Sequence, residues 1–298
     1  MSVLEKTSSL RGFAAGPLPV LLAAALWGTT GTAATFAPRA AGALSIGAAT
    51  MGLGGLLLFA LAGRSAWRVL RTAPVGMFAC GAASVVVYPL SFYSSMSAAG
   101  VAVGTVVTLG SAPVFAALAE RVLDGVPLDR RWAVAAAVSI LGGFLLVTGQ
   151  KPVDGGNGAV VGALLGLLAG AAYVGYSWVA GRLMRDGHGS RAVMGAVFGA
   201  GALGLLPVLL VTGGPLLGSP SGLVVAGYLA VVPMGLAYVL FGTGLRRTPA
   251  SVATTLSLLE PVVAALLSVL VVGERLGPQA WCGVALVGAG LVLVALRR

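Results

Sequence analysis

Apolar residues fill the chain in long, nearly uninterrupted runs that short polar segments separate. Each run has about 20 residues, the length at which a helix rising ~1.5 Å per residue crosses ~30 Å of hydrocarbon. The alternating segments of about ten residues that barrel strands need do not occur. Trp67, Trp132 and Trp281 lie at run edges, as residues of an interfacial aromatic belt do. The pattern predicts an all-α membrane protein with ten transmembrane helices, at 17–36, 43–62, 74–94, 99–119, 132–149, 158–180, 191–212, 222–243, 249–271 and 279–296.

Composition supports a membrane protein and excludes other classes. Hydrophobic residues make up 58% of the 298 residues and charged residues 9%, whereas a soluble domain carries about 25% charged residues. The net charge of +10 comes from basic residues scattered between apolar runs, so we expect no nucleic-acid partner. Cys80 and Cys282 fall inside apolar runs, where we expect core thiols. No metal-ligand spacing, phosphate loop or nucleophile motif is present, so we expect no metal, no cofactor and no enzyme activity.

The distribution of basic residues predicts the orientation. If all ten runs span, Arg39, Lys151 and Arg275 face the outer side and the other 15 of 18 basic residues face the inner side. Cytoplasmic loops carry this excess. We therefore expect a multi-pass protein of the cell membrane whose N- and C-termini are both cytoplasmic. The run after the basic N-terminal tail is too long for a signal peptide and indicates an uncleaved first helix.

A short internal repeat divides the chain into two halves. P-V-F-A-A-L begins at Pro113 and P-V-V-A-A-L at Pro261, 148 positions later. Residues 1–150 and 151–298 then hold five runs each, and because five is odd, the second half enters the membrane from the opposite side. Such inverted repeats are typical of secondary transporters. The alternative is that both segments only share generic membrane-helix composition.

Glu260 is a lone charge near the middle of the ninth run. A carboxylate there costs at least ~2.5 kcal/mol unless it faces a wet cavity, meets a partner or stays protonated. No Lys, Arg or His lies within another run, so we expect its carboxylate to interact with water, with hydrogen-bond donors or with a cationic ligand. We expect it to contact a solute or carry a proton; the alternative is a structural carboxyl that caps backbone donors. Pro261 and Pro113 are expected to break their helices and free the carbonyls of Ser257 and Leu109.

Two polar stripes and several aromatic residues are candidates for a central cavity. One stripe is Thr105, Thr108 and Ser111 in the fourth run, and the other is Thr254, Ser257 and Glu260 in the ninth. Three-residue spacing keeps each stripe on one side of its helix for nearly two turns, although Ser and Thr often bond only to their own helix. Aromatic residues with polar tips could bind a planar or amphipathic solute, or simply hydrogen-bond to a neighbouring helix. Gly162, Gly166 and Gly170, and Gly195 with Gly199, favour close helix packing. The candidate solute-binding residues are Thr105, Thr108, Ser111, Thr254, Ser257, Glu260, Trp27, Tyr88, Tyr173, Ser177 and Tyr238.

Four segments resemble the EamA type of the drug/metabolite transporter superfamily. They are W-G-T-T at 27–30, L-S-L-L-E-P-V-V-A-A-L-L at 256–267, V-G-E-R-L-G at 272–277 and G-V-A-L-V-G-A-G at 283–290. The first half is similar over 111–143, with Ala112 where the second half has glutamate and Asp124-Gly125 in place of G-E. The likeness covers essentially the whole chain.

The resemblance implies two inverted five-helix repeats, a central cavity from spans 1, 3, 4, 6, 8 and 9, and export of small metabolites such as amino acids or drugs. We therefore expect a secondary transporter of a small organic solute, with lipid around it and alternating access between its halves. A passive facilitator of the same fold and a non-transporting scaffold or lipid-handling protein remain alternatives. Neither residues nor resemblance identify the solute, the coupling ion or the oligomeric state.

Overall fold

The computed structural model describes residues 13–127, 129–148, 157–273 and 275–295, and the regular structure in these ranges is entirely helical. In chain order the helices are α1 (Pro17–Ala34), α2 (Ala43–Ala62), α3 (Arg64–Thr72), α4 (Val75–Gly100), α5 (Val103–Leu123), α6 (Arg130–Thr148), α7 (Asn157–Arg185), α8 (Ser190–Thr212), α9 (Gly214–Leu217), α10 (Pro220–Leu245), α11 (Ala250–Val271) and α12 (Pro278–Ala295). Some residues used above for orientation and motifs lie outside the described ranges: Lys6, Arg11, Lys151, Glu274, Arg297 and Arg298.

Eight helices within the described ranges are long and apolar enough to cross a membrane: α2, α4, α5, α6, α7, α8, α10 and α11. The multi-pass membrane character is therefore confirmed. The count of ten is not, because α1 is not among the eight and the apolar part of α12, Pro278–Val294, is shorter. Both helices occupy predicted runs, and their spanning role stays a prediction.

Helix α5, which occupies the fourth predicted run, extends further than that run. Gly100, at φ 86° and ψ 155°, separates α4 from α5, a conformation that side-chain-bearing residues rarely adopt. The run ended at residue 119, before the first charge, whereas α5 continues to Leu123. Glu120 therefore lies inside a spanning helix and not in a loop.

Most of the packing joins one half of the chain to the other. Helix α7 packs mainly against α4 and α5, α2 against α8, α6 against α12, and α1 against α10 and α11. Under the 148-residue correspondence, α2 and α8 are equivalent helices, as are α6 and α12. The contacts of α1 with α10 and α11 likewise correspond to those of α7 with α4 and α5. Helices that correspond in the two halves therefore make corresponding contacts.

Glycines allow the closest of these approaches, as their spacing predicts. A Cβ on Gly162 would collide with Ala99, and one on Gly199 would collide with Phe59. At the first contact Ser95 Oγ also donates to the Gly162 carbonyl at 2.6 Å. The interface between α4 and α7 is therefore both tightly packed and hydrogen-bonded.

Two predictions about individual residues are wrong. Cys80 and Cys282 are exposed and are not core thiols, because each lies on a face of its helix that no other helix covers. Trp132 is 7% exposed and donates to another helix, so it is not a belt residue. Trp67 and Trp281 are about half exposed, as belt residues are.

Candidate functional site

A break in α11 positions Glu260. The helix runs from Ala250 to Leu256, turns at Ser257 and Leu258, and resumes at Leu259. Pro261 lacks the N–H that would bond to the Ser257 carbonyl, and that carbonyl instead accepts from the Glu260 N–H at 2.9 Å. The expected free carbonyl is therefore absent, but the break is present. Glu260 lies in the first turn after it.

A cavity lies beside this break, among α1, α2, α4, α7, α10 and α11. Its empty volume is about 570 Å³, which includes the solvent space at its open mouth. Met51, Met234, Pro89 and Pro233 form apolar parts of the wall. The wall also contains one charged residue, Glu260, among the described residues. Seven aromatic side chains line the cavity: Trp27, Tyr88, Phe92, Tyr93, Tyr173, Tyr176 and Tyr238.

The Glu260 side chain is half-buried at this cavity. No described residue donates a hydrogen bond to its carboxylate or forms an ion pair with it. It lies close enough to Tyr88, Tyr93, Tyr173 and Tyr238 to interact with them electrostatically. The carboxylate is therefore held in the cavity wall without a protein group that neutralises it.

The aromatic side chains are fixed by contacts with one another. Tyr173 donates its hydroxyl hydrogen to Ser257 Oγ at 2.9 Å, and the hydroxyls of Tyr176 and Tyr238 are 2.9 Å apart. Trp27 lies 5.0 Å from Tyr238 and 6.4 Å from Tyr173 between ring centroids. These contacts occupy three hydroxyls and leave ring surface toward the cavity.

Helix α1 packs closely against α11 at the break, next to Trp27. A Cβ on the next residue, Gly28, would collide with the Glu260 carbonyl and with Val263. Glycine at this position therefore permits the close approach of the two helices. The indole Nε1–H of Trp27 is buried and has no hydrogen-bond partner in the described part of the chain. Since buried donors are normally paired, this group is available to a ligand or water.

A second glutamate lies in a different setting. Glu120, on α5, is 8% exposed. Its Oε1 accepts from the Ser251 N–H at 3.1 Å and its Oε2 from the Ser251 hydroxyl at 2.6 Å. Ser251 is in the first turn of α11, where backbone N–H groups lack partners within the helix. Trp132 Nε1 donates to the Thr255 hydroxyl at 3.2 Å and lies 3.3 Å from the Ser251 carbonyl oxygen.

A polar cluster one turn beyond Glu120 joins α5 to α7. Asp124 Oδ2 accepts from Trp178 Nε1 at 2.9 Å and from Arg185 at 3.2 Å. Arg182 lies 3.6 Å from Asp124 Oδ1. These residues lie at the end of the bundle where α5 and α7 end and α11 begins. The opposite end of the bundle is the one where α1 ends and α2 begins. Polar contacts therefore close one end of the bundle, which we call the sealed end.

Sequence comparison identifies the family. The sequence profile of the EamA-like transporter family matches residues 14–148 and 160–296. The chain belongs to the EamA-like transporter family. It is 36% identical over 285 residues to the "Uncharacterized transporter YwfM" of Bacillus subtilis (strain 168), covering 93% of this chain and 92% of that one. It is 27% identical to the "Uncharacterized inner membrane transporter YicL" of Salmonella typhimurium, covering 94% and 95%.

A solved structure shares the fold of this EamA-like protein. It matches with a TM-score of 0.76 and 21% identity over 93% of this chain and 94% of that chain, and its title reads "Crystal structure of protein". The membrane and transporter predictions are confirmed by the family match and the apolar helices. The two matched segments agree with a family built from two repeats.

Five of the predicted site residues come together at the cavity of this EamA-like protein: Trp27, Tyr88, Tyr173, Tyr238 and Glu260. The predicted α11 stripe contributes Glu260 alone. Thr254 donates its hydroxyl to the Ala250 carbonyl at 2.8 Å, and Ser257 donates to the Thr254 carbonyl at 2.8 Å. Their bonding to the same helix is the alternative that the spacing left open.

The stripe on α5 does not line the cavity. Thr105 lies in a separate small crevice that also contains Pro261. Ser111 donates to the Thr108 carbonyl at 3.2 Å, and the Thr108 hydroxyl is buried without a partner among the described residues. The backbone stays helical at Pro113, so the expected break there is absent.

The cavity differs from expectation in the helices that form it. Span 4, which is α5, contributes no lining residue, whereas span 2, which is α2, contributes Gly47, Thr50 and Met51. Ser177 is buried away from the cavity, and its hydroxyl has no partner in the described ranges. Phe92 and Tyr93 were not predicted, although they follow Tyr88 by four and five residues along α4.

Proposed function

We propose that this protein is a secondary transporter that exports a small organic solute, such as an amino acid or a drug-like compound, by alternating access. In this proposal all ten apolar helices span, residues 1–150 and 151–298 form inverted repeats, and both termini are cytoplasmic. The observation that carries the proposal is Glu260. A carboxylate without a protein partner, inside a spanning helix and facing an aromatic cavity, is expensive unless a solute, water or a proton accompanies it.

The two ends of the bundle support alternating access. Thr30, Phe92 and Tyr93 are partly exposed, whereas Tyr176 and Tyr238, further from that end, are buried. The cavity therefore opens toward the end where α1 ends and α2 begins. Polar contacts of α5 with α7 and α11 hold the sealed end closed. Since α5 belongs to one half and α7 and α11 to the other, rocking the halves would open one end while closing the other.

Glu260 has two roles in this proposal. It contacts the solute while the cavity is occupied, and it binds a proton when the solute leaves. A single carboxylate that exchanges solute for proton couples their movements, because the two compete for the same oxygen atoms. The same residue without competition would give a passive facilitator, whose flux follows the solute gradient alone.

Flux measurements in proteoliposomes test the proposal. The purified protein is reconstituted with a trapped pH-sensitive dye and challenged with amino acids, aromatic amines, organic acids and neutral drug-like compounds. We expect proton movement coupled to at least one solute, and we expect Glu260→Gln to abolish the coupling and its pH dependence. Asp186→Asn, at an exposed carboxylate that pairs with Arg182 just after α7, is the control and should leave the coupling and its pH dependence unchanged.

The other possible results of the flux experiment would refute particular parts of the proposal. Flux that ignores a proton gradient in the unmodified protein would indicate a passive facilitator and refute the coupling role. Unchanged pH dependence in Glu260→Gln would also refute that role. If no solute class moves, the transport proposal is wrong and a scaffold or lipid-handling protein is the better interpretation.

A further inference from the structure

We propose that the cavity selects organic cations: monovalent amines or quaternary ammonium ions that carry an apolar or aromatic body. This inference rests on the proposed function in one respect, that the cavity is the solute site. It goes further by assigning the charge and shape of the solute. Three features of the wall carry it: the isolated carboxylate, the surrounding rings and the apolar residues beside them.

The charge balance of the wall favours a cation. Glu260 is the only charged residue among the described residues that line the cavity, and no described group donates to its carboxylate. A cation brings the missing opposite charge. An anion would meet an uncompensated negative charge, with the neutral Trp27 N–H as a free buried donor. Neutral donors of the wall, this N–H and the hydroxyls of Tyr88 and Tyr93, do not cancel the repulsion between an anion and Glu260.

The aromatic rings favour the same class of solute. A cation is attracted to the face of Trp, Tyr or Phe within about 6 Å of the ring centroid, most strongly to Trp. Trp27, Tyr88 and Tyr173 approach the cavity from α1, α4 and α7 and so surround it on several sides. Because the Tyr173 hydroxyl is committed to Ser257, its ring is held in place before a solute arrives.

The remaining wall suits an apolar body attached to the charged group. Met51 and Met234 lie on α2 and α10, facing the same cavity as Pro89 and Pro233. Methionine side chains adapt to irregular shapes and make favourable contacts with aromatic groups. We therefore expect the cationic group to lie near Glu260 and the body to contact the methionines, with tolerance for bodies of different outline.

A matched series of four compounds tests the inference. All share a phenyl ring on a three-carbon chain: 3-phenylpropylamine is a cation, 3-phenylpropanol is neutral, 3-phenylpropionate is an anion and phenylalanine is a zwitterion. Binding to the purified full chain is measured by calorimetry and by thermal stabilisation, since a ligand of the folded state raises apparent stability. We expect the amine to bind at least tenfold more tightly than each of the other three.

Variants of the cavity carboxylate locate the effect. Glu260→Gln should weaken amine binding at least tenfold and leave the affinity for the alcohol unchanged, whereas Glu260→Asp should retain part of the preference. Asp186→Asn is the matched control and should bind all four compounds as the unmodified protein does. The ligand-free melting midpoint of each variant shows whether it is folded.

Equal or tighter binding of the alcohol, the anion or the zwitterion overturns the inference, as does absence of binding by the amine. An amine affinity that survives Glu260→Gln also overturns it. These results separate from the flux test. If an organic acid moves across the membrane while the amine does not bind, transport stands and cation selection fails. If the amine binds at Glu260 but crosses no membrane, cation selection stands and transport fails.

Discussion

Glu120 and Glu260 both lie inside helices that are long and apolar enough to span a membrane, yet their surroundings differ completely. The Glu120 carboxylate is buried and accepts two hydrogen bonds from Ser251. The Glu260 carboxylate is half-buried in an aromatic wall and accepts none from the described residues. Removing water from a carboxylate is costly in both places, but only at Glu120 does the protein replace the lost hydration.

In our proposal this difference separates a structural carboxylate, Glu120, from a functional one, Glu260. Glu120 joins α5 to the start of α11, and Trp132 adds a second attachment from α6 to the same turn. Both contacts contribute to the sealed end of the bundle. Glu260 lies further along α11, after the break, where an outside partner can reach it. One helix therefore carries a fixed end and an open site, and each side of this contrast can be tested separately.

The largest expected effect is the difference in stability between a variant that lacks the Glu120 carboxylate and one that lacks the Glu260 carboxylate. Glu120→Ala leaves the Ser251 N–H and hydroxyl without their acceptor in a buried place, so we expect a loss of about 1–3 kcal/mol in the free energy of unfolding. Glu260→Ala removes a charge that no described group compensates, so stability should be unchanged or higher. Thermal melts of both variants in one detergent measure the difference.

A conservative variant guards against a trivial packing effect. Glu120→Gln keeps an acceptor oxygen and nearly the same volume, so its loss should be clearly smaller than that of Glu120→Ala. Equal losses for Glu120→Ala and Glu260→Ala would show that the two glutamates are not distinguished by their hydrogen bonds, and the comparison would fail.

Tryptophan substitutions give a smaller effect at the sealed end. Trp132→Phe removes an N–H that two buried acceptors share, the Thr255 hydroxyl and the Ser251 carbonyl, for an expected loss of about 0.5–1.5 kcal/mol. Trp281→Phe makes the same chemical change at a half-exposed position and should stay within about 0.5 kcal/mol. Thermal melts again provide the measurement. A similar loss in both variants would mean that indole volume matters here and that the hydrogen bond does not.

Local sequence properties account for what could be predicted. Helix existence follows from the length of apolar runs, and Glu260 is conspicuous because no other charge lies near it in its run. Glu120 was missed because the fourth run was ended at the first charge, although α5 continues to Leu123. Trp132 was assigned to a belt for the same reason, since a position at the edge of a run does not show which neighbouring helix will cover it.

The remaining features of the site depend on contacts with residues from distant parts of the chain. Three-residue spacing correctly places Thr254, Ser257 and Glu260 on one side of a continuous helix, but the break at Ser257 and Leu258 changes the direction in which the later residue faces. The Thr254 hydroxyl bonds within α11, and the Ser257 hydroxyl bonds within α11 and also accepts from Tyr173, which belongs to α7. Pro261 predicts the break itself, but neither the resulting change in direction nor this tyrosine contact can be obtained from spacing in one helix.

The smallest expected effect is at the cavity. Tyr173→Phe removes the hydroxyl that donates to Ser257 Oγ, but Ser257 keeps its own donor bond to the Thr254 carbonyl. The change leaves one lone pair of an acceptor unused, which costs less than an unpaired donor, and side-chain hydrogen bonds in membrane bundles average ≈ 0.6 kcal/mol. We therefore expect a loss of about 0.5 kcal/mol or less in thermal melts. A loss as large as that of Trp132→Phe would show that the cavity wall is as firmly bonded as the sealed end, and a wall of that kind would not serve a site that must change shape as solutes come and go.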